Sequence, residues 1–347
     1  MNIALFNTDG GGIITSKYTR YIMSMGELSR KDNSIMFKNA KGNNYIPIES
    51  TKELYCLNEV SMNTKFLDFI ARAGITIHIF NYYGKYSGTF YPKEQLVSGN
   101  LTIKQSKAYL ENRIEIAKAF VQGIADNIYE VLYHYYKHDK KDLKETLDWI
   151  KKEVPKFLSK DLDIKQILFI EGQIWMRFYE SFKYFLPEDF IMNKRVKRPP
   201  DNPINALISF GNSILYAKTV SQIYNTHLNQ TISFLHEPGE RRFSLSLDLA
   251  EAFKPAIVYK CIFELVNNRR IQVSKHFDKK LNYCLLNEAG KKIFIEAIEA
   301  RFSAVFDHPI LKRKISYETA IKLDGYKLIK FIFEGKEFKP FSLKEMK

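Results

Sequence analysis

Several features that would point to particular classes of protein are scarce or missing in this sequence. It has three cysteines, Cys56, Cys261 and Cys284, which are widely spaced and odd in number, so neither a disulfide framework nor a cysteine-based zinc site fits. No apolar run approaches the ~18–20 residues that a transmembrane helix requires. The stretch Met1–Gly10 lacks the basic start and apolar core of a signal peptide. These absences predict a cytoplasmic protein without a membrane partner.

Acidic residues are scarce relative to basic ones. The chain has 53 Lys and Arg against 39 Asp and Glu, which gives a formal net charge of +14 at pH 7. Such a charge favours a polyanionic partner, because basic side chains replace the counterions bound to a phosphate backbone. Each basic run taken alone is typical of a solvated surface. The densest run is the predicted loop 193–200, whose candidates for contact with nucleic acid are Lys194, Arg195, Lys197 and Arg198.

The hydrophobic pattern divides the chain into a β-rich beginning and a helical remainder. In the first part, short apolar stretches alternate with Gly- and Asn-rich breakers, and Asn63–Ala73 has a helical pattern that Gly74 is placed to end. In the remainder, apolar positions recur at helical spacing. We therefore predict an α+β protein with a small β-rich domain over residues 1–92, a linker near residues 86–100, and a larger all-helical domain over residues 93–347.

The stretch His236–Glu251 contains residue types that can bind a metal ion. His236 precedes a Pro-Gly turn, and the apolar run that follows predicts a helix from about Ser244. On that helix Asp248 and Glu251 share one face, with Cβ atoms roughly 5–6 Å apart. An imidazole and two carboxylates at one turn make a half-site for a divalent ion. A solvated acidic face beside an incidental loop histidine is the simpler explanation of this stretch alone.

A further carboxylate stands out in a predicted helix from Ile164 to about Phe185. Glu171 lies at a position where the apolar stripe of this helix should continue. A carboxylate on such an inward face is uncommon unless it is paired or binds metal. Gly172 follows it at a cost of about 1 kcal/mol relative to alanine, which indicates close approach by another backbone. A buried salt bridge to a lysine or arginine accounts for Glu171 equally well.

Three separated segments resemble one known family, the CRISPR-associated adaptation endonuclease and integrase. The segment Phe169–Gln173 is similar to the Glu-Gly helix motif of that family, and Asn202–Gly211 is similar to its Asn-Ala-Leu-Leu helix. The third segment is His236–Pro255. No single motif is specific, but all three in this order and at these separations are, and the resemblance extends over nearly the whole chain.

The resemblance implies a metal-dependent enzyme that inserts short DNA spacers into the repeat array by attack of a 3′-hydroxyl on a phosphodiester. Glu171, His236 and Glu251 match the metal-binding and catalytic positions of the family. Asp248 matches a neighbouring acidic position, expected to orient the site. The implied cofactor is Mg²⁺ or Mn²⁺, because two carboxylates and an imidazole with open positions suit these ions better than structural zinc.

Three more basic residues lie in or beside the third segment. Arg241 and Arg242 follow the Pro-Gly turn, and Lys254 stands where the family usually has arginine before the proline. All three are candidates for contact with DNA. The change to lysine puts a bidentate contact at that position in doubt, because an ammonium lacks the fork of a guanidinium.

The resemblance also implies the partners of the chain. These are double-stranded DNA, as both prespacer and CRISPR repeat, a second copy of the chain joined through the β-rich domain, and a small ferredoxin-like CRISPR adaptation protein in a prokaryotic cytoplasm. Two other functions stay open: a basic, non-catalytic DNA-binding scaffold, and a metal-dependent nuclease acting in repair or on RNA. Convergence of Glu171, His236 and Glu251 in the fold distinguishes the enzymes from the scaffold.

Overall fold

The structure is a computed structural model that describes residues 17–92, 97–239 and 243–346. The chain divides into two compact units, Met1–Gln95 and Leu96–Lys347. In the described ranges no helix combines the length and apolar character needed to cross a membrane. Arg241 and Arg242 lie outside the described residues.

The first unit consists of two β-sheets and a helix. Its elements are β1 (Tyr18–Ile22), β2 (Gly26–Lys31), β3 (Ser34–Asn39), β4 (Gly42–Pro47), β5 (Thr51–Cys56), β6 (Val60–Met62), α1 (Thr64–Arg72), β7 (Thr76–Phe80) and β8 (Tyr86–Phe90). One sheet has the strand order β1-β5-β7-β8, in which only β8 is antiparallel to its neighbour. The other has the order β4-β3-β2-β6. Side chains of both sheets and α1, among them Leu28, Leu54 and Phe66, form one hydrophobic core.

Helix α1 confirms the helix predicted in the β-rich part. The side chain of Asn63 accepts a hydrogen bond from the backbone N–H of Phe66 at 2.9 Å and so caps the helix. Gly74, with φ of +72°, follows the last turn, where the N–H of Ile75 donates to the carbonyl of Ile70 at 3.1 Å. Glycine adopts this left-handed conformation without steric cost, which ends the helix at the predicted place.

Strand β8 occupies the first part of the linker predicted over residues 86–100, and the division between the two units follows Gln95, inside the same range. Tyr83 and Gly84 lie in the turn of a hairpin between β7 and β8. The N–H of Asn81 donates to the carbonyl of Lys85 at 2.9 Å, and Gly84 has a φ of +71°. A glycine turn between apolar stretches is typical of both a linker and a hairpin. Here the stretch after the turn pairs with β7, so the turn belongs to a hairpin.

The second unit is mostly helical. Its helices are α2 (Gly99–Lys137), α3 (Lys144–Leu158), α4 (Ile164–Glu180), α5 (Pro203–Tyr224), α6 (Ser244–Lys254), α7 (Lys260–Asn267), α8 (Val273–His276), α9 (Glu288–Ser303) and α10 (Tyr317–Glu334). Helix α5 is buried along almost its whole length and packs against α6 and α10. It begins as the sequence indicates, because the side chain of Asn202 accepts from the N–H of Asn205 at 2.9 Å and Pro203 follows as the first helical residue.

Two hairpins qualify the prediction that this unit is all-helical. They are formed by β9 (Phe277–Lys280) with β10 (Tyr283–Leu286), and by β11 (Val305–His308) with β12 (Arg313–Ser316). The basic runs Lys279-Lys280 and Lys312-Arg313-Lys314 lie in or beside these strands. These residues are exposed, as expected for a solvated face, but they belong to hairpins and not to helices.

Helix α6 does not run straight into α7. Pro255 lacks the N–H that would complete the last turn of α6, and a π-helical turn, Pro255–Tyr259, joins the two helices. Beside this irregular backbone, the buried Asn127 of α2 donates to the carbonyl of Ala252 at 2.8 Å and to that of Phe341 at 2.9 Å. Asn127 therefore ties the C-terminal segment to the end of α6.

Candidate metal centre and nucleic-acid interface

Three elements of the second unit bring the predicted site residues together. Glu171 lies in the middle of α4, His236 on the loop between α5 and α6, and Asp248 and Glu251 on α6. Glu171, His236 and Glu251 are close enough that the charge of each carboxylate acts on the other two residues. The fold thus brings these three residues within reach of one another's charge, although 80 positions separate Glu171 from Glu251 in the sequence.

Asp248 fixes the histidine loop. Its fully buried carboxylate accepts hydrogen bonds from the backbone N–H groups of Phe234, Leu235 and His236 at 2.7, 2.9 and 3.0 Å. The same carboxylate accepts from Nδ1 of His236 at 2.8 Å, since a carboxylate can only accept. This bond assigns the proton to Nδ1 and leaves Nε2 as the ring nitrogen with a lone pair for a ligand.

The environment of His236 favours positive charge. Burial alone would lower the pKa of the imidazole, but the hydrogen bond to Asp248 and the negative charges of Asp248, Glu251 and Glu171 outweigh it. The net result is a pKa of His236 above its ordinary value. The same negative charges would attract a cation to the position of this ring.

Glu171 and Glu251 repel each other. Burial and the negative charge of Glu251 raise the pKa of Glu171 to about 7, against the opposing charges of Lys254 and His236. Glu171 also accepts a hydrogen bond from the indole of Trp175, one turn further along α4. Two carboxylates that share one site are costly unless positive charge lies between them.

Two lysines supply positive charge at this cluster. The ammonium of Lys254 contacts Oε1 of Glu251 and lies over the ring of Trp175, 5.7 Å from its centroid. Lys197 reaches the site from the basic loop 193–200. Its burial and the nearby charge of Lys254 lower its pKa, while the charges of Glu251 and Glu171 act in the opposite direction. Lys254 is thus inside the site, paired with a candidate ligand.

The donor set fits a divalent cation in its chemistry, but it is not closed around one. Within residues 17–92, 97–239 and 243–346, no three His, Cys, Asp or Glu side chains are grouped closely enough to hold an ion as they stand. Among the same residues, however, Oε2 of Glu251 is buried and has no hydrogen-bond partner. A buried carboxylate oxygen without a donor is destabilising, and a cation at this position would satisfy it. The residues present therefore fit a hard divalent ion.

Arg195, in the basic loop, forms hydrogen bonds within the protein. One guanidinium nitrogen donates to Oδ1 of Asn205 at 2.9 Å and the other to Oγ of Ser209, also at 2.9 Å, so the loop is fastened to the first turns of α5. Lys194 and Arg198, in contrast, are exposed. The sequence could not separate these roles, because the partners of Arg195 follow only from how the loop folds back.

The sequence pattern did not identify three aromatic residues at the site, Trp175, Tyr179 and Tyr259. The hydroxyls of Tyr179 and Tyr259 lie 2.8 Å apart. The pKa of each is raised, and the charge of Glu251 contributes in the same direction as burial at both hydroxyls. Burial is the largest cause of each raised pKa. Trp175 fits the apolar stripe of the helix predicted from Ile164, so its residue type alone does not single it out. Its spacing of four residues from Glu171 was the signal that it could donate to that carboxylate.

Comparison with known proteins identifies the family to which the chain is similar. The family model described as CRISPR associated protein Cas1 matches residues 20–300. A protein named CRISPR-associated protein Cas1 1 from Methanobrevibacter ruminantium is 44% identical over 94% of this chain and 98% of its own length. A CRISPR-associated endonuclease Cas1 2 from Thermodesulfovibrio yellowstonii is 43% identical over the same shares of the two chains.

Solved structures show the same fold. A CAS1 protein from Thermotoga maritima is 35% identical, with a TM-score of 0.79 over 94% of this chain and all of that one. A casposase bound to integration product, 18% identical, reaches 0.81 over 96% of this chain and 94% of its own. A Cas6-RT-Cas1–Cas2 complex, also 18% identical, reaches 0.82 over 97% of this chain and 37% of that one. The chain belongs to the Cas1 family of CRISPR-associated endonucleases.

Proposed function

We propose that the chain uses a divalent ion, Mg²⁺ or Mn²⁺, to insert short DNA into a CRISPR repeat array. The ion would be held by Glu171, His236 and Glu251. The 3′-hydroxyl of the incoming DNA would attack a phosphodiester of the repeat, and water in place of that hydroxyl would give cleavage. The observation that carries the proposal is the pair formed by the half-buried Glu171 and the buried Glu251, whose mutual repulsion calls for a cation.

The chain's own residues prepare this chemistry. Asp248 holds His236 by ring and backbone and so keeps Nε2 available. Lys254 and Lys197 place ammonium groups beside the carboxylates, where a phosphate would be attracted. When bound, a divalent ion supplies activation of the attacking oxygen and stabilisation of charge on the phosphate. The histidine favours manganese in vitro, while magnesium is the expected ion in cells.

DNA contacts are proposed for the exposed end of the basic loop. Lys194, Lys197 and Arg198 are exposed, and Lys197 is near enough to Glu251 and Glu171 for their charges to act on it. A loop that carries positive charge from the surface to the site would guide a phosphate backbone to it. The net charge of +14 supports the same interpretation.

Assembly is proposed through the first unit. We infer a homodimer joined through its sheets, docked on a small ferredoxin-like partner. Among the described residues, β1, β8, β4 and β6 lie at sheet edges, where a further strand can pair. A Cas6-RT-Cas1–Cas2 complex contains the same fold. Light scattering of the full chain at micromolar concentration tests this. A monomer would contradict it.

Half-site integration of a short duplex into a repeat-bearing plasmid tests the function. With Mn²⁺ or Mg²⁺ we expect joined product, and without divalent ions none. Glu171→Ala should lose most of the activity, while Glu180→Ala, which removes an exposed carboxylate from the end of the same helix, should keep it. Retention of full activity by Glu171→Ala would overturn the assignment.

The same assay distinguishes the alternatives. A scaffold would bind DNA without any metal-dependent product, and Glu171→Ala would change nothing but stability. A repair or RNA nuclease would cleave branched DNA or RNA faster than it joins a duplex to a repeat. Comparison of these substrates under one set of conditions decides between the three.

A further inference from the structure

Lys254 is enclosed in the candidate metal centre by two kinds of contact. Its ammonium contacts Oε1 of Glu251, three residues earlier on α6, and only 14% of the Lys254 side chain is exposed. The ammonium also lies over the ring of Trp175, 5.7 Å from its centroid. A cation in this position is attracted by the negative face of the indole. The carboxylate and the indole therefore both stabilise the ammonium at this place.

The ammonium acts on the same carboxylates as the proposed ion. Burial and the charge of Glu251 raise the pKa of Glu171, and Lys254 is near enough for its charge to oppose them. On Glu251 the ammonium contacts one oxygen, whereas the other, Oε2, is buried and has no hydrogen-bond partner among the described residues. Lys254 thus neutralises part of the negative charge that attracts a divalent ion.

The charges at the site indicate that the ammonium and a divalent ion compete. Glu171, Asp248 and Glu251 contribute three negative charges when they are ionised. Lys254 and Lys197 contribute two positive charges, and the histidine is neutral when it binds a metal ion. A divalent ion would therefore turn a deficit of one positive charge into an excess of one. Withdrawal of one ammonium removes the excess, and positive charges that lie close together repel most strongly where water is excluded.

We propose that Lys254 is an exchangeable counterion of the metal centre. Its ammonium pairs with Glu251 until a divalent ion binds there, and then leaves the carboxylate for a phosphate of the DNA. This inference rests on the proposed function and concerns the regulation of the same site. Because the ion takes Glu251 and the DNA takes Lys254, each ligand separates the pair for the other, so the ion and the DNA bind cooperatively.

Lysine suits this exchange better than arginine would. An ammonium is a compact charge on a flexible stem, and it contacts a carboxylate at one point. A guanidinium can form two parallel hydrogen bonds with the two oxygens of a carboxylate. In Lys254→Arg the second bond could reach Oε2 of Glu251, which has no donor among the described residues. The arginine would then be harder to displace than the lysine.

Calorimetric titration of Mn²⁺ into the full chain tests the competition. The variants are Lys254→Met, Lys254→Arg and the control Lys183→Met, which removes an exposed ammonium that also lies over an aromatic ring, 5.0 Å from the centroid of Tyr184. We expect Lys254→Met to bind Mn²⁺ at least about tenfold more tightly, because no charged hydrogen bond has to be broken. Lys254→Arg should bind it at least about threefold more weakly, and the control should match the wild type.

The arginine variant separates displacement from simple repulsion. Arginine and lysine carry the same charge, so repulsion alone predicts equal affinities for the wild type and Lys254→Arg. Equal affinities would overturn the proposal, and so would unchanged or weaker binding of Mn²⁺ by Lys254→Met.

Amine labelling of the wild-type chain follows the ammonium itself and needs no variant. An acetylating reagent would be applied in EDTA, in Mg²⁺, and in Mg²⁺ with a blunt duplex, and the acetylated fraction of Lys254 would be measured by mass spectrometry. We expect Mg²⁺ to raise the labelling of Lys254 at least about threefold, as the released population grows, and the duplex to lower it again. Labelling of Lys183 should be the same in EDTA and in Mg²⁺. Labelling of Lys254 that does not respond to saturating Mg²⁺ would overturn the proposal.

The exchange and the proposed function can fail separately. If the wild type joins DNA with Mg²⁺ while Lys254 stays protected from the reagent, the exchange is wrong and the proposed function stands. If Mg²⁺ exposes Lys254 but no joined product forms, the proposed function is wrong and the exchange stands.

Discussion

Asp248 and His236 are joined twice, by a 2.8 Å hydrogen bond from the ring and a 3.0 Å hydrogen bond from the backbone N–H. The second oxygen of the same carboxylate holds the two residues before the histidine. Asp248 is therefore the anchor of the whole histidine loop. Its charge matters to folding as well as to the site.

Asp248→Asn is expected to destabilise the protein. Whichever way the amide is oriented, its nitrogen faces two N–H donors that lose their acceptor, at about 1–3 kcal/mol for each buried group left unsatisfied. We expect a loss of about 2–4 kcal/mol in the free energy of unfolding and a loss of strand transfer. Denaturant titration measures the first. A change below about 0.5 kcal/mol, the size of an ordinary surface substitution, would show that the loop is held by other contacts.

Asn127 is expected to stabilise the C-terminal end of α6, where it binds the carbonyl of Ala252. Besides its two donated bonds, it accepts from the N–H of Leu343 at 2.7 Å. Asn127→Ala leaves these groups unsatisfied, and we expect about 2–5 kcal/mol lower stability. Asn225→Ala, which removes an exposed amide after α5, should change stability little. Equal Tm values for the two variants would contradict the role of Asn127.

Neighbouring basic residues should behave differently. Lys194→Ala should leave the Tm unchanged and reduce the slope of log affinity for duplex DNA against log salt by about 0.9, because one phosphate contact is lost. Arg195→Ala should lower the Tm, because its guanidinium fastens the loop to Asn205 and Ser209. If the two variants exchanged these effects, the division of roles within the loop would be wrong.

The fold class was predictable because hydrophobic periodicity changes once along the chain. Local caps were also clear, since Asn63 and Asn202 act on backbone groups only three residues away. The sequence did not indicate that the first residues of the predicted linker form β8, because a glycine turn such as Tyr83-Gly84 is a local pattern shared by hairpins and linkers. Whether residues 86–90 form a strand depends on the strand with which they pair, which is β7.

The site was predictable in its residue types but not in its contacts. Glu171 could be selected because it interrupts an apolar stripe, and the family resemblance joined it to His236 and Glu251. Nothing local indicated that Lys197 would lie near the same carboxylates or that Arg195 would bind Asn205 and Ser209. Those contacts depend on the path of the loop before α5, which long-range packing determines.

Direct measurement of metal binding tests the central claim. Mn²⁺ would be titrated calorimetrically into the full chain and into Glu171→Gln, Glu251→Gln and the control Glu180→Gln. The account predicts about one ion per chain for the wild type and the control, and at least about tenfold weaker binding when either Glu171 or Glu251 is neutralised, the scale of losses at a metal site. Wild-type affinity in a folded Glu171→Gln protein would contradict it.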